Sequence, residues 1–103
     1  MLFRSIYFGR NIPQRSPSLS YVHVDDLTDF LRTTVERYFK SWTVTEGTSS
    51  WKGKPEDVFL LTVISDEYEA ALYVRAIAKS YKESFSQDAV LINSYRSDSL
   101  LIE

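Results

Sequence analysis

The chain has no cysteine, three glycines, three prolines and a single histidine. Without cysteine there is no disulfide framework, no thiolate metal site and no cysteine nucleophile. Three scattered glycines cannot assemble a phosphate-cradling loop, a dinucleotide fingerprint or a nucleophile elbow. One histidine excludes a multi-histidine metal centre, and no calcium-loop spacing is present, so no metal and no cofactor are expected. No apolar run approaches the roughly 18 residues that a membrane helix needs. The opening Met-Leu-Phe-Arg-Ser puts Arg4 inside the first apolar stretch with no small-residue cleavage site after it. That start predicts no signal peptide and a cytoplasmic protein without membrane contact.

What is present is core-forming material. The 103 residues are 44% hydrophobic and 15% aromatic, with 25% charged, which suits one packed domain over residues 1–103 and excludes disorder as the main state. The net charge of −2 is uneven: residues 1–55 carry 8 Lys+Arg against 5 Asp+Glu, and residues 56–103 carry 4 against 9. An acidic chain of this kind lacks the basic signature of general nucleic-acid binding, so nucleic acid is disfavoured as a partner.

Leu2–Phe8 is rich in aromatic and aliphatic residues and ends at Gly9, which reads as a strand with Leu2, Ile6 and Phe8 on one face and Phe3, Ser5 and Tyr7 on the other. Pro13, Pro17 and several serines make residues 10–22 a long irregular loop. Asp25 or Asp26 is placed to cap a helix over 26–39, whose buried stripe is Leu27, Phe30, Leu31, Val35, Tyr38 and Phe39. Trp42–Glu46 alternates as a strand, and Gly47-Thr-Ser-Ser reads as a turn or bulge. Val58–Ile64 is apolar at both alternating positions, the pattern of a strand covered on two sides. Asp66 is placed to cap a second helix over 67–85, with Ala70, Val74, Ile77, Ala78, Tyr81 and Phe85 inward. Residues 89–95 give another strand, and 100–102 a short last one. The order β-α-β-β-α-β predicts an α+β, ferredoxin-like fold: an antiparallel sheet with both helices on one face.

Several segments resemble a family of small bacterial proteins classed only as a domain of unknown function. Tyr7-Phe8-Gly9-Arg10-Asn11-Ile12 is similar to the family's YFGRxI opening, and Leu27-x-x-Phe30-Leu31 to its first helix. Trp42-Thr43-Val44 and Trp51-Lys52-Gly53 match its strand and WxG turn, and Tyr81, Phe85, Gln87, Val90 and Leu91 its YxxxFxQxxVL motif. Where the family usually has Pro and Gly before the second strand, this sequence has Lys40 and Ser41. Many members begin with a secretory or lipoprotein signal, which this start does not resemble. The resemblance implies the fold and no activity.

The candidate site is Gly9-Arg10-Asn11. Glycine lets the backbone turn, Arg10 offers a planar fork for a carboxylate or phosphate, and Asn11 both donates and accepts. Tyr7, Trp51 and Lys52 complete a proposed ligand-binding set if the two strand ends meet, with Lys54 and His23 nearby. The adjacent carboxylates Asp25/Asp26 and Glu56/Asp57 diverge in direction and read as caps and solvated ends. Because two helices cover one side of a sheet whose strand 58–64 is apolar on both, the expected function is a non-enzymatic assembly module, homo-oligomerising through the open face. The alternatives are a binder of a small anionic ligand, nucleotide or organic acid, or a small dimeric ferredoxin-like enzyme, using loop 10–22. A mobile-element inhibitor binding a host protein is the third.

Overall fold

The computed structural model describes residues 2–12 and 21–98 together with Leu100 and Ile102, all but the side chain of Trp51. Its elements run β1 (Leu2–Gly9), α1 (Val24–Thr33), a 3-10 turn (Val35–Arg37), β2 (Thr43–Trp51), β3 (Lys54–Ile64), α2 (Ala70–Ser84) and β4 (Leu91–Arg96). The four strands form one antiparallel sheet in the order β2-β3-β1-β4. This is the ferredoxin-like arrangement that the element order predicts. Each helix joins two strands that have one antiparallel strand between them in the sheet, and right-handed crossovers of this split kind place both helices on the same face.

The alternation of β1 decides the two faces. Ile6 and Phe8 are fully buried and point to the helices, beside Leu61 and Phe59 of β3 in the antiparallel register. Leu27, Phe30 and Leu31 of α1, and Ala70, Val74, Ile77, Ala78 and Tyr81 of α2, close over them. At the centre Phe8 stacks on Tyr81 with ring centroids 4.2 Å apart, and Phe30 meets both rings edge-on at 5.7 and 5.5 Å. Each such aromatic pair adds about 0.5–1.5 kcal/mol beyond its burial.

Three expected boundaries shift, each for a local reason. The first helix stops at Thr33 rather than 39, where Thr33-Thr34-Val35 places three β-branched residues in a row, and the chain tightens into the 3-10 turn. Val35 and Phe39 nevertheless stay in the core. Neither aspartate is the cap: His23 occupies that position, and Asp26 reaches back from the first turn to accept the His23 backbone N–H at 3.1 Å. Asp66 does not cap the second helix, which starts at Ala70; it accepts the Leu2 backbone N–H at 3.0 Å and so ties down the start of β1.

The hairpin differs most. Gly47–Ser50 is not a turn but continuous strand, and the reversal is the two-residue Lys52-Gly53, with φ of 51° and 78°. Consecutive positive φ values match the twist of a tight hairpin, and Gly53 supplies one of them without a side-chain penalty. The outer part of β3 pairs with β2 alone, which is why Pro55, lacking an N–H, is tolerated there. Leu100 and Ile102 are not in a strand, and residues 13–20 of the expected loop lie outside the described residues.

Candidate functional site

At the end of β1 two consecutive residues face opposite ways. Arg10 turns to the helix side. Its guanidinium lies 4.1 Å from the centroid of the Phe59 ring and 4.4 Å from that of Tyr21, so it is sandwiched between two aromatic faces. Its Nε donates to the Val22 carbonyl at 3.1 Å, the Val22 N–H donates back to the Arg10 carbonyl at 2.7 Å, and Nη1 sits 3.6 Å from Glu46 Oε1. The side chain is only 12% exposed. Tyr21 is in turn held by its hydroxyl, which donates to Asp57 Oδ2 at 3.1 Å. Arg10 therefore joins β1, β3 and the entry to α1, with its Nε donor and both faces of its guanidinium engaged by the scaffold.

Gly9 turns to the open face of the sheet, where an open cavity of about 100 Å³ is lined by Tyr7, Gly9, Ser49, Glu56, Val58, Gln87, Asp88, Ala89 and Leu91. The sheet supplies Tyr7, Ser49, Glu56 and Val58. The segment after α2 supplies Gln87 and Asp88 by wrapping round the sheet end. Glu56 leans over Gly9 so closely that a Cβ built there would stand 2.9 Å from one carboxylate oxygen and 3.0 Å from the other; Gln87 Oε1 is also 2.9 Å from that point. Only a hydrogen at this position lets both groups close in. Burial pushes the Glu56 carboxyl above its ordinary range. Beneath the cavity, Tyr81 donates its buried hydroxyl to the Gly9 carbonyl at 2.6 Å, and burial, then the Glu56 charge, raises its phenol.

The structure gathers the sequence candidates only in part. Tyr7 lines the cavity. Arg10 adjoins it in sequence and points away. Asn11 takes part through its backbone, accepting Gln87 Nε2 at 3.0 Å, while its residue is otherwise exposed. Lys52 sits on the hairpin tip, beyond Lys54, which is itself four residues, or about 13 Å, along β3 from the Val58 that pairs with Gly9. The Trp51 side chain lies outside the described residues. His23 is exposed at the start of α1, its ring 5.6 Å from that of Tyr21. The expected meeting of the Gly9 and Lys52 turns at one sheet edge does not occur, because the hairpin overhangs the end of β1.

Glu56, Gln87, Asp88 and Ser49 were not among those candidates. Glu56 and Asp57 do diverge, as neighbours on a strand must, but only Asp57 points towards Tyr21; Glu56 is half-buried over Gly9 rather than a solvated end. Among the described residues no group of three or more His, Asp or Glu side chains is arranged to hold a metal, and no helix is long and apolar enough to cross a membrane.

The fold has solved counterparts. A phage SAM lyase in complex with S-methyl-5′-thioadenosine is 17% identical, with a TM-score of 0.61 over 91% of this chain and 79% of that one. The phage SAM lyase in its apo state is 16% identical, with a TM-score of 0.63 over 91% and 78%. Likeness at this identity is likeness of fold. No curated protein matches the chain significantly. The family model described as "Protein of unknown function (DUF3574)" matches residues 4–99, nearly the whole length, and the chain belongs to that family.

Proposed function

We propose that this domain binds a small metabolite in the open-face cavity, with Glu56 as the residue that sets what enters. The observation that carries this reading is the convergence of Glu56 and Gln87 over Gly9, in a concavity that also offers Tyr7 and Leu91 as apolar walls. Among the described residues the lining holds two carboxylates, Glu56 and Asp88, and no lysine or arginine. Such a lining repels phosphates and carboxylates, so the anionic-ligand expectation gives way to a neutral or cationic one. A volume of about 100 Å³ lies below the roughly 300 Å³ at which whole-ligand pockets begin. The cavity therefore takes one end of a ligand, and the rest lies along the sheet. Fold-level likeness to a SAM lyase that holds a thioadenosine supports nucleosides and sulfonium compounds as first probes.

The test is calorimetric titration with S-adenosylmethionine, S-methyl-5′-thioadenosine, adenosine and ATP. Binding by one or more of the first three, absent for ATP and weakened about tenfold or more by Glu56→Gln, supports the reading, since a charge-assisted contact contributes about 1.5–3 kcal/mol. Tightest binding by ATP, indifferent to Glu56→Gln, contradicts it.

A second reading rests on the same face. Ile64, Phe3 and Tyr95 form one row across three strands, with the Phe3 and Tyr95 rings 5.2 Å apart, and Ile64 and Tyr95 are 50% and 43% exposed. An apolar row of this kind suits association with a second copy. Sedimentation equilibrium at micromolar concentration tests it: a dimer is expected, and a monomer of 12.0 kDa contradicts it.

A further inference from the structure

We infer that the ligand group held deepest in the cavity is an N–H-bearing cation, an ammonium or amidinium, clasped between the Glu56 carboxylate and Gln87 Oε1; this inference rests on the small-metabolite reading of the cavity. Gln87 is 8% exposed, and its Nε2 donates to the Asn11 carbonyl at 3.0 Å and the Phe85 carbonyl at 3.3 Å. Turning the amide over would set its oxygen against two carbonyl oxygens, so the orientation is fixed by the backbone. Oε1 is thereby aimed at the Gly9 side, where Glu56 already stands.

Three acceptor oxygens thus lie within about 3 Å of one point, and among the described residues no hydrogen bond or ion pair to the Glu56 carboxylate is formed. Adjacent acceptors repel, and a donor between them relieves both at once. An anion is repelled by Glu56 and Asp88. A cation without N–H groups, such as a quaternary ammonium, balances the charge but leaves Gln87 Oε1 unpaired and desolvated. An ammonium or amidinium meets both needs. Gln87 is then the residue that separates donor cations from other cations, and Gly9 is the residue whose missing side chain lets the two acceptors meet.

The experiment is an amide-resolved NMR titration of the whole chain with methylguanidinium, ethylammonium and tetramethylammonium chlorides at neutral pH. The two donor cations are expected to shift the Gly9 amide and the Gln87 side-chain amide saturably, with about tenfold higher affinity than tetramethylammonium. Gln87→Met, similar in volume but without the acceptor, is expected to reduce that preference to about threefold or less, the part that Glu56 alone retains. Gly9→Ala, which keeps both acceptors but forces them apart, is expected to do the same and serves if Gln87→Met fails to fold. Equal affinity for all three cations in the wild type overturns the donor clasp and leaves the cavity as a ligand site. Absence of any cavity shift, with these cations and with S-adenosylmethionine alike, overturns both.

Discussion

Gly9 and Arg10 are neighbours in the chain and opposites in the fold. On the Arg10 side charge is consumed: two rings, a backbone carbonyl and Glu46 surround one guanidinium. On the Gly9 side charge is presented: a half-buried carboxylate and a fixed amide oxygen face a cavity. A residue type that attracts ligands in isolation becomes framework once its neighbours satisfy it. A carboxylate that looks like a solvated end becomes a candidate contact once the fold half-buries it with no hydrogen-bond partner among the described residues.

The largest effect that tests this contrast belongs to Arg10. Arg10→Ala removes a desolvated cation–π sandwich and a hydrogen bond, and is expected to destabilise the domain by about 2–4 kcal/mol in urea unfolding. A loss of that size lowers the thermal midpoint of a domain this long by on the order of 10–25 °C. Arg10→Lys is expected to rescue little, because an ammonium neither stacks between two rings nor reproduces the fork. A change within about 0.5 kcal/mol would return Arg10 to the surface and to ligand binding.

Tyr81→Phe comes next. It leaves the Gly9 carbonyl without its 2.6 Å partner and is expected to cost about 1–2 kcal/mol, read by the same unfolding curve. Gly9→Ala is expected to cost about 1 kcal/mol, because the methyl meets side-chain ends and not backbone, and the Glu56 carboxylate swings aside while the tethered Gln87 amide gives little. Its affinity for donor cations is nevertheless expected to fall, so a stable, weaker-binding Gly9→Ala separates site from scaffold. Loss of both together would make the glycine structural.

The smallest effect has the most informative sign. A carboxyl whose folded pKa is raised holds its proton more tightly when folded. Its contribution to stability is present below the ordinary glutamate value of about 4.3 and is lost as pH rises through the folded value. Glu56→Gln, which cannot ionise, is expected to leave stability at pH 7 unchanged or raise it by up to about 0.5 kcal/mol, and to flatten the decline across that window. Asp88, Tyr7 and Tyr81 remain as titratable neighbours in both proteins. A destabilised Glu56→Gln would assign the carboxylate a structural partner.

Much of the fold is legible in the sequence because burial enforces period. Leu27, Phe30 and Leu31, and Ala70, Val74, Ile77, Ala78 and Tyr81, show the helical stripes, and Ile6 and Phe8 show the inward face of β1. The hairpin was legible only as a choice: Gly47–Ser50 and Trp51–Gly53 both read as turns, and the pairing of β2 with β3 selects the second. The site was legible by halves. The Tyr7–Asn11 stretch is at its rim, and Gln87 lies in the family-like motif at the end of α2. The direction in which Arg10 and Glu56 point depends on strand register and on partners far along the chain, Val22 and Phe59 for Arg10 and Gly9 for Glu56, which no local pattern carries.

Titration of Glu56 tests the cation site most directly. Carbon-detected NMR of the Glu56 carboxyl, titrated without and with saturating methylguanidinium, is predicted to show a midpoint above the ordinary glutamate value that falls when the cation is added. A midpoint in the ordinary range, unmoved by the cation, would mean that Glu56 is a solvated strand end and that the cavity is not its ligand site.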